Sequence, residues 1–179
     1  MQGDLVEGCP VSVFREAEEL VRARGLDELL EILRRSVGIQ SVRVIVMTQA
    51  CDLAQGKVGN VILCPVYHLE EHKENVEKAL ERPLGKGALD SQLKQIKDGK
   101  IWNLTLLEKR NPPEGGGLSV PHLVVDFHEV FSLPRDFLEL WIRLSGSNRL
   151  RLLPPYREHL SQAFARYFMR VGLPQDVEL

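Results

Sequence analysis

Val42-Arg43-Val44-Ile45-Val46-Met47-Thr48, residues 42–48, is the stretch on which the fold turns. β-Branched and apolar side chains predominate in it, which predicts a strand. A near-continuous apolar run predicts burial on both faces. Asn60-Val61-Ile62-Leu63-Cys64-Pro65-Val66 reads as a second strong strand. Pro65 donates no ladder bond, so it belongs at an edge, a bulge or the strand's end. Gln49 to Gly59, polar and glycine-bearing, reads as the loop between the two.

Upstream, Gly3-Asp4-Leu5-Val6 reads as a short first strand. Residues 12–37 then read as helical: Val13, Ala17, Leu20 and Val21, followed by Leu26, Leu29, Leu30, Ile32 and Leu33, recur at helical spacing. Ser12 is the expected cap, Gly25 the break and Gly38 the end. Downstream, residues 69–82 predict a charged helix ended by Pro83 and Gly85, and Leu89, Leu93 and Ile96 mark a further short helix. Ile101 to Leu107 and His122 to Phe127 read as strands, with Val130-Phe131 beyond a bend. Between them Asn111-Pro112-Pro113-Glu114-Gly115-Gly116-Gly117 reads as a loop. Leu138 to Leu144 and Arg149 to Leu153 read as weaker strands. Pro154-Pro155 opens a last helix with Leu160, Phe164, Tyr167, Phe168 and Val171 on one stripe, stopped by Gly172 and Pro174. Strands and helices do not alternate in a steady rhythm, which disfavours a doubly wound parallel sheet.

The 179 residues read as one domain, 1–179, long enough to bury a core unaided. Hydrophobic residues at 44% and charged residues at 27% are globular proportions and exclude a disordered chain. No apolar run approaches the roughly 18 residues of a membrane span. Met1-Gln2-Gly3-Asp4 lacks the basic start and apolar stretch of a signal peptide, so a cytoplasmic chain is expected. Three cysteines, Cys9, Cys51 and Cys64, do not suit a disulfide framework. The net charge of −2 argues against a dedicated nucleic-acid binder without excluding a local basic patch.

The order of elements resembles that of MazF/PemK-like toxins. Gly3-Asp4-Leu5-Val6 is similar to their opening, Val44 to Gln49 to their second strand, and Asn60 to Val66 to their next. Val124-Val125-Asp126-Phe127 resembles their aspartate-bearing strand, and Arg143-Leu144-Ser145 with the closing helix resembles their C-terminus. The resemblance spans nearly the whole chain, with helical insertions at about 12–37 and 69–97. It implies an α+β, mainly β fold: a small, half-open, SH3-like antiparallel barrel with a C-terminal amphipathic helix. It also implies a homodimer, an antitoxin-like or other protein partner, no membrane, no cofactor and no metal. The implied activity is binding or metal-independent cleavage of single-stranded RNA. The family's arginine opens the second strand, where an ungapped alignment puts Val42, with Arg43 one residue later. Its threonine or serine follows the third strand, where Tyr67 and His68 stand. The chemistry asks for a cation facing the phosphorane and a group that handles the 2′-hydroxyl proton. Arg43, His68 and Tyr67 are therefore the catalytic candidates, and Thr48, Gln49, Asp52, Asp126 and His128 the substrate-binding ones.

Other constellations carry two readings each. Cys51, in Thr48-Gln49-Ala50-Cys51-Asp52-Leu53, is either a nucleophile served by His68 or His128 or a small buried apolar residue, with Asp52 capping the loop. His68-Leu69-Glu70-Glu71-His72 fits a short zinc pattern, but one easily met by chance in a glutamate-rich segment, and the reading preferred is a solvated helix face. Cys51, Cys64 and His68 lack paired zinc-ligand spacing, and Gly115-Gly116-Gly117 lacks the lysine of a phosphate loop. Arg135, Arg143, Arg149, Arg151, Arg157, Arg166 and Arg170, interleaved with Trp141, Tyr156 and Tyr167, read as a single-stranded nucleic-acid surface or as a solvated face. The rival to an RNA-directed protein is a non-catalytic protein-interaction module on the same barrel.

Overall fold

The computed structural model describes residues 1–15, 17–111, 119–146 and 149–169. The expected loop beyond Asn111, with its glycines at 115–117, lies outside them, as do Arg170, Val171, Gly172 and Pro174. The fold is α+β. Its strands are β1 (Asp4–Phe14), β2 (Val37–Val46), β3 (Asn60–His68), β4 (Leu104–Leu107), β5 (Leu123–Asp126), β6 (Phe131–Pro134) and β7 (Leu150–Arg151). Its helices are α1 (Ala17–Leu20), α2 (Leu26–Ser36), α3 (Ala50–Ala54), α4 (Leu69–Leu80), α5 (Ala88–Lys97), α6 (Arg135–Ser145) and α7 (Tyr156–Phe168). The strands run β4-β5-β3-β2-β1-β7, with β6 also on β3, and every pairing is antiparallel. The sheet is not closed into a barrel. Among the described residues, no helix is long and apolar enough to cross a membrane.

β3 is the hub, and its sequence explains how. Its first half pairs with β6 over Asn60–Leu63 and its second with β5 over Val66–His68. Strand residues alternate in the direction of their backbone groups. Ile62 bonds toward β2 through Met47 and Thr48, so Pro65 points the other way, into the gap where β6 ends and β5 begins. The missing N–H falls where neither neighbour needs it. Proline thus occupies the middle of a central strand without breaking a ladder bond, not an edge or an end.

Alternation on the central strands separates two faces. Leu5, Ile45, Cys64, Val66, Leu123 and Val125 pack under α7 with Phe127 and Leu160. Val6, Val44, Val46, Val61 and Leu63 face α3 and α6, meeting Leu53, Leu138 and Trp141. Val124 and Leu104 face α5 through Ile96 and Leu93. At the outer edge, the fully buried Asp4 accepts from Arg151 at 2.5 Å and pairs with Arg149, tying β1 to β7.

Other sequence expectations are corrected too, and the expected loop from Gln49 to Gly59 contains the helix α3. Residues 12–14 are strand, not helix: Ser12 pairs with Ile39, and β1 runs to Phe14. Val11 is buried while Ser12 and Phe14 are exposed, a period of two that overrides the helical spacing through Val13 and Ala17. Gly38 does not end α2. It lies in β2, which begins at Val37. Leu138 to Leu144 is helix, because Leu138, Trp141 and Ile142 form one stripe against the core, closed by Gly146 at φ 61°. The remaining strand expectations hold with shifted ends.

Phe127 is fully buried and meets Phe164 edge-on at 5.5 Å and Tyr167 at 6.1 Å. Phe127→Ala is expected to destabilise the fold by about 3–5 kcal/mol, measured by urea unfolding. A loss under about 1 kcal/mol would mean that α7 is not docked through this ring.

Candidate functional site

β2 and β3 part company after Val44, and the side chain of Arg43 sits at the fork. Its Nε donates to Glu7 at 2.8 Å, and its Nη1 donates to Glu71 at 2.7 Å and to the Val66 carbonyl at 3.3 Å. The guanidinium takes the place of the strand that has left, satisfying an edge carbonyl. Only 16% of the Arg43 side chain is exposed. Burial opposes its charge, but the bonds to Glu71 and Glu7 outweigh it and hold Arg43 above its ordinary value.

Glu71 stands at the third position of α4, and its carboxylate also accepts the His68 N–H at 2.7 Å. This is the reaching-back half of a capping box. Burial opposes the Glu71 charge, while the His68 N–H and the Arg43 guanidinium favour it more, and the net pKa lies below the usual carboxylate value. Arg43 and His68 thus share one carboxylate.

Tyr67 and Asp126 lie on the adjoining strands β3 and β5. The Tyr67 hydroxyl donates to Glu129 at 3.4 Å. Burial, then the charges of Glu129 and Asp126, push its pKa up, so it stays a proton donor at neutral pH. Asp126 Oδ1 accepts the His128 N–H at 2.9 Å and the Asn103 side-chain amide at 3.5 Å. Asn103 Nδ2 stands 3.0 Å from His128 Nδ1, a contact in which the amide N–H donates to the ring nitrogen. The same Nδ1 lies 3.7 Å from Asp126 Oδ1. The His128 ring meets Tyr167 edge-on at 5.6 Å.

The remaining candidates lie elsewhere. The Thr48 hydroxyl, nearly buried, accepts the Ile62 N–H at 2.6 Å and extends the β2–β3 ladder. Gln49 precedes α3, and Asp52 lies within it. Cys51, also in α3, is exposed, with Sγ 3.6 Å from Gln49 Oε1 and 3.8 Å from Asp52 Oδ1. It opens on a cavity of about 330 Å³ that Gln2, Arg157, Glu158, Ser161 and Gln162 help line, with no histidine among the lining residues. The reading of Cys51 as a buried apolar residue is therefore corrected, and neither His68 nor His128 is among the residues that line this cavity. His68 precedes α4 while His72 is buried within it, its Nε2 without a hydrogen-bond partner among the described residues. Burial pushes the His72 pKa down against the pull of Gln92 and Asp126. Of the C-terminal arginines, Arg135, Arg149, Arg151 and Arg157 are ion-paired to Glu139, Asp4, Asp4 and Glu158.

The chain therefore gathers Arg43, His68 and Tyr67 on or beside β3, with Asp126 and His128 at the end of β5, and separates them from the Thr48–Asp52 segment. Sequence reasoning missed Glu7, Asn103 and Glu129, and named Glu71 only within the short zinc pattern, not as the partner of Arg43. The capping-box spacing of Glu71 after residue 68 was the one available signal. Comparisons with protein-family models, with curated proteins and with solved structures return no match.

Two measurements check this geometry. Burial pushes the Cys9 thiol up to about 11 and the Cys64 thiol up to about 12, whereas Cys51 is exposed. A disulfide reagent at pH 8 is expected to titrate a single thiol rapidly in the native chain and all three in urea. Rapid reaction of two native thiols would contradict the burial. Separately, a carboxylate with a lowered folded pKa stabilises the fold above its unfolded value, and that contribution is lost as pH falls through the folded value. The urea midpoint gap between the native chain and Glu71→Gln should therefore narrow on acidification below about pH 4. A gap independent of pH would mean that Glu71 is not held by Arg43.

Proposed function

We propose that this chain is a non-catalytic protein-interaction module on a half-open, SH3-like sheet. The observation that carries the reading is the engagement of Arg43. Cleavage through a 2′-hydroxyl needs a cation free to meet the phosphorane's developing charge. The Arg43 guanidinium, which reaches the Val66 carbonyl on the strand that carries Tyr67 and His68, is also held by two carboxylates. Glu7, Glu71, Asp126 and Glu129 surround this region and would repel a phosphate. The ion-paired C-terminal arginines also favour this reading over a nucleic-acid surface. The β1–β2 ribbon, by contrast, presents Phe14, Val37 and Ile39 to solvent. Support for the SH3-like assignment comes from a hub strand shared by two sets of neighbours and a C-terminal helix packed across the sheet.

A second reading, a MazF/PemK-like protein acting on single-stranded RNA, is favoured by one observation. Arg43 and His68 share Glu71, with Tyr67 between Val66 and His68 on the same strand end.

Incubation with a mixed single-stranded RNA, with and without chelator, separates the two. The expected result is intact RNA in both. Chelator-resistant fragments that vanish in Arg43→Ala would overturn the module reading in favour of the ribonuclease.

A further inference from the structure

The β1–β2 ribbon outruns the sheet. β2 pairs with β1 from Val37 to Ile45, but with β3 only over Val44–Val46. The Met47 N–H bonds to the Ile62 carbonyl. By alternation, the odd-numbered residues of β2 turn their backbone groups to the β3 side. Ile39 and Ser41 therefore offer N–H and C=O groups, and Val37, whose N–H caps α2 on the Leu33 carbonyl, offers its C=O, along an edge where, among the described residues, no strand pairs. Ile39 is 71% exposed, and Val37–Val42 holds neither a charge nor a proline. Natural edges are usually blunted by such residues, and an unblunted edge is a template for another strand.

Charge selects the occupant. At one end the exposed Arg15 crosses Gly38, its Nε 2.6 Å from where a Cβ would stand. At the other end Glu7 and Glu71 flank Arg43, with Glu70 exposed beside them, leaving an acidic excess. The edge is thus basic at its start and acidic at its finish. A strand that answers both ends must carry the same polarity in reverse, which the same edge does when run antiparallel. With Ile39 opposite Ser41 of a second copy, the outward backbone groups of the two edges face each other. Val37 and Ile39 of both copies then lie on one face, beside Phe14 of each ribbon.

We infer that the β2 edge from Val37 to Arg43 pairs antiparallel with the same edge of a second copy of this chain, joining two sheets into one. The inference rests on reading the ribbon as a binding surface. It is tested by sedimentation equilibrium together with amide hydrogen exchange. The expected result is a concentration-dependent dimer, with the Ile39 and Ser41 amides protected only in the dimer. Ile39→Pro removes an N–H that faces away from β1, so it should leave circular dichroism unchanged and yield a monomer. Arg15→Glu should weaken the dimer at least about ten-fold. A monomer at every concentration overturns the inference, as does a dimer that Ile39→Pro leaves intact with both amides exchanging freely. Capture of a different chain by an otherwise monomeric protein overturns it too. A monomeric mass with RNA intact leaves the module reading standing, whereas RNA cleavage overturns that reading whatever the mass.

Discussion

The Arg43 guanidinium, fixed between Glu7 and Glu71, holds the point at which the β1–β2 ribbon leaves the sheet. Three segments meet there. β1 supplies Glu7, β3 supplies the Val66 carbonyl, and α4 supplies Glu71. A strand that departs from its neighbour leaves edge groups without ladder partners. Arg43 answers one of them with a side chain, and its charge is balanced by carboxylates from both flanks. Because Glu71 also accepts the His68 N–H, the same carboxylate fixes the start of α4. The direction of the ribbon and the start of that helix are therefore coupled through one residue.

The second constraint lies on the hub strand, at Pro65. By pointing its absent N–H into the gap between β6 and β5, Pro65 allows β3 to exchange one neighbour for another. The exchange places Tyr67 beside Val124 and brings Asp126 close enough to influence Tyr67, Cys64 and His72. The polar group at the end of β5 is thus a consequence of sheet topology. Its members act mainly on one another: Asn103 on His128, His128 on Asp126, Tyr67 on Glu129.

Much of the sheet was legible in the sequence. Residues 42–48 and 60–66 have the composition of doubly buried strands, and no helical reading competes with them. The ribbon was not legible, because Cys9 to Phe14 alternates over too few residues to outweigh the helical spacing of Val13, Ala17 and Leu20. α6 was misread for the opposite reason: Leu138, Leu140, Ile142 and Leu144 alternate, but its buried residues follow the helical stripe. At the site, Tyr67, His68, Asp126 and His128 were visible as polar groups at strand ends. Glu7, Asn103 and Glu129 were not, since each finds its partner 25 or more residues away through strand pairing. No local pattern encodes such a partner.

Arg43 thus acts as a structural clamp and not as a free cation. Nitrogen NMR of its guanidinium tests this most directly. A clamped Arg43 gives a resolved Nε–H signal with slow solvent exchange, unmoved by a single-stranded oligoribonucleotide. A signal averaged by free rotation, or one that shifts as the oligoribonucleotide is added, would contradict it.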